Sequence, residues 1–275
     1  MGLAITLSVL AGIFGAGVPA YNYVSGILEN PEYVSSAGTG DSAPSVSSTD
    51  LSTAIWAAEQ VVSLATDKVD STELQASIES ANTLLGKSDP SAEELGRAQS
   101  ELIVESEDVK RAIKVVDVES VSADVKKKLA SGYFHSGATR KDDVRNMLDA
   151  LGGKDIGIIY QDIPCDMDKA AGCVSSEDPT VMYISPIILD PAYYQDHMLL
   201  QTIAHEYGHT VHFRTGYHRV FNDPEVSAAF DDDPEHLADC MAEDIEGVVF
   251  TTYGYKCNDA QLSAARKVWT GNLTS

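Results

Sequence analysis

The pentapeptide HEYGH at residues 205–209 constrains the fold more than any other feature of this 275-residue chain. It matches the H-E-x-x-H pattern, in which one helix supplies two histidine ligands to a zinc ion. Residues four apart stack on one face of an α-helix, so His205 and His209 can reach the same ion if this stretch is helical. The pattern therefore predicts a helix through these residues and a metal site on one of its faces.

Glu206 follows the first histidine and is rotated by about 100° from it around the helix. From that position it can face a zinc-activated water and act as a general base, passing the proton to a leaving amine. Gly208 removes a side chain beside the metal face and lets another element approach. We expect an amphipathic helix with His205, His209 and His212 on one side. Its apolar side would consist of Leu199, Leu200, Ile203, Ala204, Tyr207 and Val211.

A catalytic zinc needs a third protein ligand, and HEYGH does not contain it. His212 lies on the expected metal face, but three ligands at i, i+4 and i+7 of one straight helix cannot converge. His218 follows Gly216 and would need a sharp return of the chain. The metzincin pattern requires a histidine at position 215, where this chain has threonine. A carboxylate from a second helix is the remaining option.

Residues 233–242 predict such a helix, because Asp233 suits the N-cap and Pro234 the first helical position. Glu235 then falls in the first turn, beside the small side chain of Ala238, which allows close packing. Asp239 lies one turn further on and is expected to accept an imidazole N–H behind the metal. A solvated helix N-terminus would explain the aspartates, but not the alanine-rich face.

HEYGH followed by EHLADCMA resembles the gluzincin zinc metallopeptidases, several of which carry an E-x-x-A-D helix after H-E-x-x-H. The resemblance covers about residues 180–245 and implies one Zn²⁺ held by His205, His209 and Glu235, with Glu206 as the catalytic base. The segment between the motifs, residues 210–234, is short. The implied fold is therefore α+β, a minimal zincin-like metallopeptidase domain preceded by a small all-α helical segment.

The resemblance also implies a tyrosine or histidine, further along the chain, that stabilises the oxyanion. His218, Tyr253 and Tyr255 are the candidates, and no motif chooses among them. In zincins an edge strand near the metal pairs with extended substrate, and residues 182–185 are the candidate for that strand. An ordinary core strand is the alternative interpretation of the same residues.

Composition along the chain predicts four segments. Residues 1–25 form a signal peptide or membrane anchor, since residues 2–20 carry no charged side chain, although a basic leader segment is missing. Residues 26–50 have the Ser/Gly/Thr content of a flexible linker. Residues 51–118 show helical periodicity and form a stalk or spacer, and residues 119–275 form the catalytic domain.

Within the catalytic segment, the apolar pattern predicts a helix over 141–151 and strands over 156–160 and 181–185. A long helix is expected from Asp190 through Phe213. Helices and short strands together give the α+β class.

The chain has 19 Lys and Arg against 42 Asp and Glu, a net charge of −23. This excess repels phosphate backbones and anionic lipids, so we expect no nucleic-acid partner and membrane contact through the N-terminal segment alone. No C-x-x-C pair is present, which argues against a zinc knuckle. Local pairing predicts disulfides Cys165–Cys173 and Cys240–Cys257, with four free thiols as the alternative.

The predicted function is that of an extracytoplasmic zinc peptidase, secreted or tethered to the membrane, acting on a peptide or protein. One alternative is a non-catalytic binding or scaffold module at the cell surface, in which His212 or His218 completes a structural zinc site. Glu206 argues against it, because an inert site has no use for a base. A zinc amidase acting on cell-wall peptide is the other alternative.

Overall fold

The computed structural model describes residues 46–161, 170–247 and 256–274, and these are mostly helical with one small sheet. The predicted N-terminal signal or anchor lies outside the described residues. The helices are α1 (Ser48–Ala65), α2 (Thr72–Leu85), α3 (Ala92–Ala130), α4 (Arg140–Ala150), α5 (Asp196–Thr215), α6 (Tyr217–Asn222), α7 (Pro224–Phe230), α8 (Pro234–Glu246) and α9 (Asp259–Thr270). The strands are β1 (Gly157–Tyr160), β2 (Gly172–Val174) and β3 (Val181–Ile184), and short 3-10 helices cover Tyr133–His135 and Pro186–Leu189. No helix in the described part of the chain is long and apolar enough to span a membrane.

The chain divides into two compact units, with the boundary after Lys110, inside α3. In the first unit, α1 starts inside the predicted linker, because the side chains of Ser47 and Asp50 form a capping box there. Helices α1 and α2 pack against each other through their apolar faces, which include Ile55 and Leu74. α3 has no proline, and no glycine after Gly96, so the helix continues through the boundary predicted at 118/119.

The sheet of the second unit has the strand order β1-β3-β2. β3 pairs parallel with β1 and antiparallel with β2, so both of its edges are hydrogen-bonded. The prediction that residues 182–185 form a substrate-binding edge strand is therefore wrong. Met182 and Ile184 are fully buried, as the interpretation as a core strand requires. The sequence analysis missed β2, which consists of only three residues.

Helix α5 lies in the middle of the second unit and packs against α4, α8, α9 and β2. Every residue from Leu199 to Thr210 is buried. The prediction that this helix is amphipathic, with one solvent-exposed side, is therefore wrong, because other elements cover the polar side of α5. The helix also begins later than predicted, at Asp196, because residues 186–195 form a 3-10 helix and turns.

Close packing brings α8 against α5. A Cβ atom added to Gly208 would lie 3.4 Å from the Cα atom and the carbonyl oxygen of Ala238. The Cys240–Cys257 disulfide, with a Cα–Cα distance of 5.7 Å, holds the other side of α8 to the segment before α9. Cys173 is also disulfide-bonded, and Cys165, its predicted partner, lies outside the described residues. Small residues on one face and a covalent link on the other therefore fix the position of α8 relative to α5.

Candidate metal centre

Three side chains from α5 and α8 place potential metal-ligating atoms at the corners of a small triangle. The Nε2 atoms of His205 and His209 are 3.1 Å apart. The Glu235 carboxylate lies 3.2 Å from His205 Nε2 and 3.4 Å from His209 Nε2. A tetrahedral ion with bonds of about 2.0–2.1 Å requires neighbouring ligand atoms roughly 3.3 Å apart. The donor set and its spacing fit one zinc ion without rearrangement.

Local sequence rules place Glu235 at this site. The Asp233 carboxylate accepts hydrogen bonds from the backbone N–H groups of Glu235 and His236, at 3.0 and 3.1 Å, and thereby caps α8. The carboxylate of Glu235 therefore projects from the first turn of a capped helix. Burial raises the pKa of Glu235, but the hydrogen bonds to His205 and His209 outweigh burial and hold that pKa well below its usual range.

His205 sits between two carboxylates. Its Nδ1 atom is 2.8 Å from Asp239, which is fully buried. A carboxylate oxygen accepts, so Nδ1 carries a hydrogen, and loss of the second proton from Nε2 would turn that lone pair toward the site. Burial lowers the pKa of His205, but its hydrogen bonds to Asp239 and Glu235, with the charge of Glu206, raise that pKa to about 10. The same negative charges that hold a proton on His205 would stabilise a metal cation there.

Replacing Asp239 by alanine should weaken zinc binding by about 10- to 100-fold, because nothing then fixes the His205 tautomer. Asp239→Asn keeps an oxygen that accepts the Nδ1–H bond and should lose less affinity. A competition titration against a chromogenic chelator measures both, with thermal unfolding of the metal-free proteins as the check on folding. Equal zinc affinity in wild type and Asp239→Ala would show that this contact does not act on the metal.

The Glu206 carboxylate lies close enough to His205, His209 and Glu235 for their charges to act on it. It is 5% exposed, and its Oε2 atom is buried without a hydrogen bond. Burial raises the pKa of Glu206 above its usual value, and the neighbouring charges of His205 and His209 offset only part of that rise. An orphaned buried oxygen is costly unless something binds it, so Glu206 is a candidate for contact with a ligand.

Sequence analysis missed Tyr194, which lies near this carboxylate. Its hydroxyl is 2.7 Å from Thr202 Oγ1, and Arg140 Nη2 donates to its backbone carbonyl at 2.9 Å. Burial and the charge of Glu206 together raise the pKa of Tyr194, despite the hydrogen bond to Thr202. The hydroxyl therefore keeps its proton at neutral pH. The helical pattern that begins at Asp190 predicts a regular helix at Tyr194, and no local signal distinguishes this tyrosine there.

Two other predicted residues, His218 and His212, do not join the triangle. His218 is exposed on α6 and contacts Tyr217 edge-on, and Tyr253 and Tyr255 lie outside the described residues. His212 is buried among aromatic rings, and neither of its ring nitrogens has a partner. Burial, helped by the charge of His209, lowers the pKa of His212 to about 4. It is a neutral core residue, not a residue of the metal face.

Within the described ranges, no fourth His, Cys, Asp or Glu joins the group formed by His205, His209 and Glu235. A second group, His236 with Cys240 and Cys257, has both sulfur atoms bonded to each other in the disulfide. Known protein families, curated proteins and solved structures were all compared with the chain, and none matches it. The chemistry must therefore be inferred from the arrangement of these side chains.

Proposed function

We propose that this protein is a zinc-dependent peptidase that hydrolyses peptide bonds with Glu206 as general base. The supporting observation is the triangle of His205, His209 and Glu235, with the unpartnered Glu206 oxygen beside it. The protein supplies three ligands, and no fourth comes from the described residues, as in catalytic rather than structural zinc sites. A gluzincin-like, zincin-type domain is the fold assignment that goes with this proposal.

Zinc bound at this site would polarise the scissile carbonyl and lower the pKa of water. The chain's own residues do the rest. Glu206 Oε2 accepts a proton from the attacking water and returns it to the nitrogen of the leaving amine. Asp239 keeps His205 in the tautomer whose Nε2 can ligate. Among the described residues, Tyr194 replaces His218 as the oxyanion candidate, and its hydroxyl would have to exchange its present hydrogen bond to Thr202 Oγ1 to serve that role.

An extended peptide is the substrate class that the sheet favours. β2 is bonded to β3 on one side, and no described strand pairs with its other side. β2 also packs against α5 beside Glu206. A peptide added along that free edge would bring its backbone to the carboxylate. The extracytoplasmic location and the membrane tether remain predictions from the N-terminal sequence.

Zinc removal and return test the proposal directly. The purified full chain should contain about one zinc per protein and cleave members of a mixed-sequence peptide library, which mass spectrometry detects. Chelation should remove the activity, and stoichiometric Zn²⁺ should restore it where Mg²⁺ does not, because nitrogen ligands favour zinc. A zinc-loaded protein that cleaves no peptide would refute the peptidase and leave the scaffold or cell-wall amidase alternatives.

A further inference from the structure

Strand β2 lies against the catalytic glutamate at Gly172. A Cβ atom added there would fall 2.8 Å from Glu206 Cγ, 3.0 Å from Oε1 and 3.1 Å from Cδ. Gly172 is not among the glycines with a positive φ, so its backbone conformation is open to any residue. What requires glycine at this position is the space taken by Glu206.

Neither backbone at this contact can retreat easily. Cys173, the next residue of β2, is 4% exposed and disulfide-bonded, and the register pairs Gly172 with Ile184 in the central strand. On the other side, Glu206 belongs to the buried helix α5, which neighbouring elements cover. A methyl group between the two would therefore have to rotate the Glu206 side chain.

We propose that Gly172 is a positioning residue, whose bare backbone sets where the Glu206 carboxylate stands beside the metal ligands. The expected effect on kcat rests on the proposed function, whereas the steric contact between Gly172 and Glu206 does not. β2 has two roles here, because the strand that limits Glu206 is also the one whose second edge has no partner among the described strands. β2 would then position both the bound substrate strand and the glutamate that acts on it.

Gly172→Ala tests the role in the zinc-loaded full chain. We expect kcat to fall by about 10- to 100-fold, since a displacement of about 1 Å can cost that much. KM and zinc affinity should stay within about twofold of wild type, because the ligands and the strand edge are untouched. Gly157→Ala in β1 is the matched control, since its added Cβ would meet nothing closer than 3.7 Å. Unchanged kcat in Gly172→Ala would overturn the inference.

A double-mutant cycle separates positioning from a general effect on the fold. In a Glu206→Gln background the base is already absent, so Gly172→Ala should reduce the residual rate by less than about twofold. The same fold-loss in both backgrounds would mean that Gly172 acts through another group. If Gly172→Ala does not fold, Gly172→Ala/Glu206→Ala should fold, because Cγ is gone. Failure of that double variant to fold would also overturn the inference.

A crystal structure distinguishes this inference from the proposed function. If the wild type cleaves nothing, the peptidase proposal fails, yet the carboxylate of Glu206 should still shift by about 1 Å in Gly172→Ala. It should not shift in Gly157→Ala. An unmoved Glu206 in Gly172→Ala would overturn the inference whatever the activity of the wild type.

Discussion

Glu206→Gln should abolish peptide hydrolysis while the protein keeps its zinc. The amide has the shape of the carboxylate but cannot accept the proton of the attacking water. General acid–base catalysis contributes about 10²- to 10⁴-fold, and we expect kcat to fall by about 10³-fold or more. Oε2 of Glu206 has no hydrogen bond to lose in the described structure, so folding should be unaffected.

Kinetics and metal analysis on one preparation measure this result. Glu177→Gln is the control, because it makes the same chemical change at an exposed glutamate. In wild type, kcat/KM should fall as the pH is lowered through the pKa of Glu206, since the protonated carboxyl is no base. When zinc is kept saturating at every pH, that acid limb should be missing from the residual activity of Glu206→Gln. Equal activity of wild type and Glu206→Gln would remove Glu206 from the mechanism and with it the peptidase proposal.

Glu235→Ala should lower the zinc affinity by at least about 100-fold, because it removes the one ligand that comes from outside α5. Zinc-finger peptides bind structural zinc with about 10–16 kcal/mol through four ligands, so losing one ligand is a large loss. Glu235→Gln keeps an oxygen without the charge and should fall between wild type and alanine. Glu225→Ala, which removes an exposed carboxylate from α7, is the control.

Proton release gives a second measurement of the same site. The pKa of His205 is raised to about 10, so the metal-free protein carries that proton at pH 7.5. Zinc must displace it, and the apparent affinity should rise about tenfold per pH unit for each proton displaced. Glu235→Ala removes one group that raises the pKa of His205, so zinc binding to this variant should release fewer protons. Unchanged zinc affinity in Glu235→Ala would mean that the third ligand is a different residue.

Local rules predicted much of the candidate site. A spacing of four residues on a helix places His205 and His209 on one face, and the Asp233 cap with Pro234 starts the helix that carries Glu235. Asp239 follows one turn later and reaches His205 Nδ1, as the periodicity suggested. These relations depend on residues three or four apart, whose geometry any α-helix fixes.

Local rules failed where the decision depended on distant residues. His212 shares α5 with the ligands, but α6 packs aromatic rings around it and makes it a core residue. The pattern of residues 181–184 predicts a strand, yet its central position comes from pairing with two other strands. Tyr194 and Gly172 carry no motif, and their importance comes from lying near Glu206.

The sequence by itself determined the helical spacing of His205 and His209, the capped helix start that carries Glu235 and the set of ligand types, because short-range spacing fixes which side chains share a helical face. The tertiary structure alone decided that Glu235 reaches the histidines across the Gly208–Ala238 contact, and that β2 rather than β3 lies beside Glu206. Packing of elements far apart in the chain depends on the shape of both partners at once. No local pattern predicts that shape, so the contact between β2 and Glu206 could be identified only from the tertiary structure.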